Sequence, residues 1–135
     1  EKNEFYTPPK KPGFQTVLQA IVRFGGLAVL AHPLLNLSEN LLADYLHEAK
    51  NFGAAAAETY YSLYSKEKEN IIRKLVNEAG LLESGGSDFH GEIKPEISLG
   101  TGKGTLQIPY PVYETLKNTA KNQKNGMEQN HFGLY

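Results

Sequence analysis

The chain has 135 residues, no cysteine, no tryptophan and a single methionine, Met127. Without cysteine there is no disulfide and no thiolate ligand, so a metal site here must be built from imidazole and carboxylate groups. No apolar run approaches the roughly 18 residues of a membrane-crossing helix, and no signal-peptide pattern is present. The net charge is −1, which excludes a global electrostatic pull toward nucleic acid or acidic membranes. These absences suit the cytoplasm and no membrane partner. The chain opens Glu1-Lys2-Asn3, and it is therefore expected to be a piece of a longer protein.

What is present fits one domain with a modest core, since 40% of the residues are hydrophobic. Residues 1–13, polar and with Pro8, Pro9 and Pro12, read as a linker arm; residues 14–120 as the α/β domain; residues 121–135 as a polar, frayed tail. From Phe14 to Phe24, Val17, Leu18, Ile21 and Val22 recur at helical spacing, and Gly25-Gly26 ends that helix. Leu27 to Ala31 is a short continuous apolar run, which predicts a strand buried on both faces. Ser38 is a plausible cap for a second helix lined by Leu42, Tyr45, Leu46 and Ala49, and Gly53 closes it. Ala54 to Thr59 is the second strand, running into Tyr60 and Tyr61. Ser65 caps a third helix with Ile71, Ile72, Leu75, Val76 and Ala79 on one face, and Gly80 ends it. Leu81 to Ser84 is the third strand. Residues 91–110 are loop-like, and Pro111 suits the first turn of a last helix with Val112, Leu116 and Ala120 apolar. This alternation predicts α/β architecture, with parallel strands joined by right-handed crossovers.

The chemistry-bearing residues fall at the ends of those strands. His32 follows the first, Glu58 sits near the end of the second, and Asp88 and His90 follow the third, in Gly85-Gly86-Ser87-Asp88-Phe89-His90-Gly91. In a parallel sheet these ends share one rim, where α/β proteins build their sites. If the segment is extended, Asp88 and His90 point to one side and can reach one ion. Two imidazoles and a carboxylate suit zinc, manganese or iron(II). Taken singly, Ser87–His90 also reads as an ordinary turn, and His32 as a packed histidine. Glu58 reads as a supporting base or a ligand, or as a plain carboxylate near a helix start. Tyr60, Tyr61 and Tyr64 could stack on a base or bond a phosphate, or simply pack. His47 and His131 read as surface residues. The run Gly100–Thr105 fits neither phosphate-loop pattern: Ile97 stands where a first glycine belongs, and the run leads to Pro109 instead of a helix. It leaves Lys94 and Lys103 as candidate contacts to an anionic substrate, with Tyr60 beside them, or as parts of a surface turn.

Gly25-Gly26-Leu27-Ala28-Val29-Leu30-Ala31-His32-Pro33 resembles a segment of the PHP (polymerase and histidinol phosphatase) metal-dependent phosphoesterases. Gly85–Gly91 resembles that family's G-S-D-F-H-G segment, Lys94-Pro95 with Leu99-Gly100 its continuation, and Glu58-Thr59-Tyr60-Tyr61 its E-x-Y strand end. The resemblance covers about residues 14–110. It implies the C-terminal half of a distorted (β/α)₇ barrel, with His32, Asp88 and His90 as metal ligands and Asp88 and His90 catalytic. It also implies a cluster of divalent ions (manganese, zinc or iron) that activate water against a phosphate ester of a nucleotide or short RNA. The chain departs from the family in two ways. No H-x-H occurs among its four histidines, and Tyr64 stands where many relatives carry histidine. The partners so implied are a phosphorylated small molecule or short RNA, and the N-terminal half of the barrel or a second copy to cover the open sheet. The other reading is a non-catalytic or degenerate PHP-like module acting through association, and a third is a metal-dependent amidohydrolase or deaminase on a similar barrel.

Overall fold

In the computed structural model, residues 9–132 are described, with side chains to residue 126. Most of the expected leading arm, and the side chain of His131, lie outside them. The elements alternate as the apolar periods require: α1 (Phe14–Arg23), β1 (Ala28–Leu30), α2 (Glu39–Asn51), β2 (Ala54–Tyr61), α3 (Lys66–Glu78), β3 (Leu82–Gly86) and α4 (Tyr110–Phe132). Short 3₁₀ turns follow β1 at Pro33–Leu35 and β3 at Gly91–Ile93. The three strands form one parallel sheet in the order β1-β2-β3.

One face of the sheet is covered by α2 and α3. Leu42, Leu46, Ile72 and Val76 are wholly buried there, against Ala28, Leu30, Ala54 and Ala57. Each such aliphatic side chain contributes about 1.5–3 kcal/mol by leaving water. The short alanines of β2 let the helices sit close, which is why so weak a strand-former occupies the central strand. Ser65 caps α3 through its Oγ, which accepts the Lys68 N–H, and Gly80 at φ 68° ends the helix region. Ser38 occupies the cap position of α2 but makes no side-chain bond.

Three expectations are corrected. β1 is not buried on both faces: Val29 is 42% exposed, because β1 is an edge strand whose second face has no layer over it. The last helix continues past Ala120 to Phe132, through the polar stretch and Gly126. Its partly buried stripe is Val112, Leu116, Thr119 and Gln123, with Ala120 exposed. α4 starts beside Leu81, Leu82 and Glu83, and the Gln123 side chain donates to the Gly26 carbonyl at 3.2 Å. It therefore links the beginnings of β3 and β1, at the opposite end from the rim.

Candidate functional site

β2 supplies the side chains that join the rim together. Its pairing with β3 runs Glu58 to Ser84, then Tyr60 to Gly85 and Tyr61 to Gly86. Two steps on β2 match one step on β3, so Thr59 is an inserted residue. Plain alternation puts Glu58 and Tyr60 on one face; the bulge puts Glu58 and Tyr61 there instead. Tyr60 turns the other way. It is buried, the Arg73 guanidinium lies 5.2 Å from its ring centre, and a side chain at Gly85 would strike its Cβ at 2.8 Å. The structure thus does not bring Tyr60 to the rim. Tyr61, which strand alternation hid, is the residue that arrives.

The Tyr61 hydroxyl donates to Asp88 Oδ2 at 2.9 Å, while its ring packs 5.1 Å from His32 and 5.0 Å from Tyr64, centre to centre. Burial first, and the Asp88 carboxylate second, push the Tyr61 phenol up to about 12. Burial also pushes Tyr64 to about 12, and its oxygen accepts the Leu34 N–H at 3.0 Å. Both phenols therefore stay neutral donors near pH 7.

His32 follows β1 in the left-handed region, at φ 31° and ψ 53°. For a non-glycine residue this conformation costs of order 1–3 kcal/mol and persists only where the surroundings enforce it. Here its N–H donates to Glu58 Oε2 at 2.9 Å. The ring's Nδ1 is buried with no partner, an uncommon state for a nitrogen lone pair or N–H. Glu58 lies at the rim, bonded to the His32 N–H. Burial raises its pKa, the His32 N–H partly offsets that, and Asp88 adds like-charge repulsion.

Ser87–His90 is irregular backbone and not an extended segment, because Asp88 sits at φ 59°. Asp88 and His90 meet through it: His90 Nδ1 lies 2.7 Å from the Asp88 carbonyl oxygen and 3.5 Å from Oδ1. A carbonyl only accepts, so Nδ1 is the donor in this contact, and Nε2 is the nitrogen turned away from it. The segment is pinned on both sides. Ser62 Oγ donates to the Ser87 carbonyl at 2.9 Å, and the Gly100 N–H donates to Ser87 Oγ at 3.2 Å. The glycines act differently from one another. Gly91 supplies a positive φ of 59°, whereas Gly86 supplies space: a Cβ there would lie 2.6 Å from Glu58 Oε1.

Lys94 reaches the site and ion-pairs with Asp88 Oδ2 at 2.5 Å, which is the main cause of the lowered Asp88 pKa. Lys103 is exposed, with no bond to these residues among those described. His47 is exposed on α2, as expected. The rim thus gathers His32, Glu58, Tyr61, Asp88, His90 and Lys94: two carboxylates, two imidazoles, a phenol and one ammonium.

The donor chemistry fits a divalent ion, and the partnerless Nδ1 of His32 gives it a place to bind. The donor count does not: among the described residues no three His, Asp or Glu groups are placed to hold one ion. An ion at this rim would need further ligands from outside those residues.

The fold and the rim define a class, a parallel α/β layer whose strand ends carry carboxylate and imidazole groups. No family model matches the chain, and no curated protein is similar to it. Solved structures are. An amidohydrolase from Chromobacterium violaceum, solved with bound sulfate and no metal, superposes with a TM-score of 0.66 at 22% identity, over 84% of this chain and 39% of its own. A protein from Bifidobacterium adolescentis, provisionally assigned as a metal-dependent phosphoesterase, does so with a TM-score of 0.62 at 26% identity, over 85% and 39%. The chain spans about two-fifths of the length of each. The likeness gives it a PHP/amidohydrolase-like fold, consistent with part of a (β/α) barrel. Among the described residues, no helix is long and apolar enough to cross a membrane.

Proposed function

We propose that this chain is the C-terminal part of a metal-dependent phosphoesterase, and that its rim forms one side of the metal site. The observation carrying this reading is the convergence of His32, with its orphaned buried Nδ1, on Glu58, Asp88 and His90. His32, Asp88 and His90 are the proposed ligands, with Asp88 and His90 nearest the chemistry and Glu58 beside them. A divalent ion, manganese, zinc or iron, supplies Lewis acidity toward a phosphoryl oxygen and toward water. The chain's own residues do the rest. Tyr61 orients the Asp88 carboxylate, the Asp88 carbonyl holds His90 Nδ1, and the Glu58 bond to the His32 N–H holds that backbone in its left-handed conformation. Lys94 offers the nearest positive charge to a phosphoryl group; Lys103 offers a second only if its loop moves.

The remaining ligands come from the other part of the barrel, which would sit on the free edge of β1 and on α1. Val17, Ile21 and Val29 are 39%, 36% and 42% exposed there, along a groove they share with Phe14 and Tyr45. The narrower assignment, a nucleotide or short-RNA phosphate ester, rests on the resemblance of Gly85–Gly91 and Lys94–Gly100 alone. Soluble cytoplasmic action belongs to the same reading.

The test is hydrolysis by the full parent protein with manganese, comparing phosphate esters with amide substrates. Phosphate-ester turnover that falls at least about a hundredfold in Asp88→Asn supports the reading. Amide turnover without phosphatase activity supports the amidohydrolase reading instead. The isolated chain is expected to be nearly inactive. The incomplete donor set favours a second reading, a PHP-like module that folds and associates without catalysis; a parent that binds no metal and turns over neither substrate class establishes it.

A further inference from the structure

We propose that the cleft between α3 and residues 105–109 binds a small organic oxyanion, a phosphate or carboxylate carried on a flat ring, with the Arg73 guanidinium as its anchor. The site is apart from the rim and holds whether or not the rim takes a metal. Lys66, Glu69 and Arg73 stand three and four residues apart on α3, so they share one face of the helix, and all three line the cleft. The opposite wall runs from Thr105 to Pro109. That wall is fixed in place. Ile108 packs into the space that Gly85 leaves, where a Cβ would lie 2.9 Å from its side chain, and Gly102 is buried against Ser62. The cleft has a volume of about 510 Å³, inside the range of roughly 300–1,000 Å³ usual for small-molecule sites. A bare phosphate or carboxylate would leave most of it empty.

Arg73 is held ready before a ligand arrives. Its Nε donates to both oxygens of Glu83, at 3.1 and 3.2 Å, and its guanidinium lies over the Tyr60 ring, 5.2 Å from the centre. The Asn77 amide donates to the same carboxylate at 3.3 Å and helps to hold it. A pair with a purely structural role gains most when the guanidinium fork grips both carboxylate oxygens. Here one nitrogen serves both oxygens. Among the described residues all hydrogen bonds of Arg73 run from Nε, and its side chain is 40% exposed, so the two Nη groups are left to the cleft. A guanidinium fixed on its face and at Nε loses little freedom when an oxyanion takes that fork. The charge of the lining agrees. Lys66 and Arg73 face a single carboxylate, Glu69, which leaves the cleft net positive. Thr105 and Gln107 add a hydroxyl and an amide as further donors. Tyr64, Leu106 and Pro109 give apolar surface, which favours an anion that carries a ring over a bare one. Tyr60 thus serves this site from beneath, as the support on which the arginine rests.

The test is a titration of the isotopically labelled, chelator-treated chain with phenylphosphonate, benzoate and inorganic phosphate, followed by backbone amide and arginine Nε signals. Phenylphosphonate or benzoate is expected to give saturable shifts at Thr105, Leu106, Gln107 and Arg73 Nε, and the one that does so identifies the oxyanion. Inorganic phosphate is expected to bind at least about fivefold more weakly, for want of the ring. Arg73→Lys keeps the charge and loses the fork, and is expected to weaken binding about tenfold. Glu69→Gln removes the opposing charge and is expected to tighten binding about two- to threefold, a gain that a poorly folded variant could not produce. Four results overturn the proposal: no saturable shift with either organic anion, shifts centred on His90 and Lys94 with the cleft signals unmoved, unchanged affinity in both variants, or inorganic phosphate bound as tightly as phenylphosphonate.

Discussion

Glu58 and Asp88 sit on the same rim and link to pH with opposite signs. Glu58 has a folded pKa raised mainly by burial. Its contribution to stability is complete below the unfolded value of about 4.3 and is lost as pH rises through the folded value. Glu58→Gln in chelator-treated protein is therefore expected to raise the thermal midpoint at pH 8, with the gain disappearing toward pH 4. Asp88 is held low by Lys94 first and Tyr61 next. Its contribution is present above the unfolded value of about 3.9 and is lost as pH falls through the lower folded one. Asp88→Asn is expected to lower the midpoint at pH 7 by about 3 °C, and to matter progressively less below pH 4. Melting curves across pH, read by circular dichroism, check both signs. Gly86→Ala tests the packing of the same corner. Its methyl would stand 2.6 Å from Glu58 Oε1, so Glu58 must give up its bond to the His32 N–H. The expected result is a loss of about 1–3 kcal/mol in urea unfolding, less in a Glu58→Ala background. At this scale the sequence was partly legible. His32, Asp88 and His90 stood out as ligand types at strand ends. Tyr61 did not, because one inserted residue reverses alternation and nothing in Glu58–Tyr61 announces a bulge.

Among the elements, the helices were the most readable. Periodic apolar positions and the glycines that follow them placed α1, α2 and α3 to within a residue or two. Ile72 and Val76, named from spacing alone, are wholly buried. Ile72→Ala is expected to cost about 2–5 kcal/mol, since α3 packs on β2 and β3 with no room to collapse, and chemical denaturation measures it. β3 was harder, because its last two residues are glycines that carry no strand signal; they belong to it because Tyr60 and Glu58 occupy the space that side chains there would need. The spacing of Ser87–His90 leaves an extended segment and an ordinary turn equally open. Asp88 adopts a left-handed backbone that its sequence permits but does not demand, and Tyr61, Lys94 and Ser62 hold it there. The last helix outruns its apolar stripe, Gly126 included, because the stripe reports burial and not helix length.

For the molecule as a whole, the alternation of helices and strands made a parallel sheet legible, and the strand ends made the rim legible. What a local pattern could not give is the partner layer. The open face and the free edge of β1 carry Val29, which in a continuous apolar run looks the same as a residue buried twice over. In the isolated chain, hydrogen exchange is expected to be fast at β1 and slow at Ala56–Tyr61 of the central strand. Protection of β1 equal to that of β2 would show the edge already covered.

The account stands or falls on whether divalent metal binds at the rim. Manganese broadens nuclear resonances around its site, so a titration of the isotopically labelled chain followed by amide and imidazole signals reads the site directly. The account predicts early, saturable broadening centred on His32, Glu58, Asp88 and His90, absent in Asp88→Asn. Broadening centred on the exposed carboxylates of Glu92, Glu96 or Glu114, with the rim signals unaffected, would contradict it.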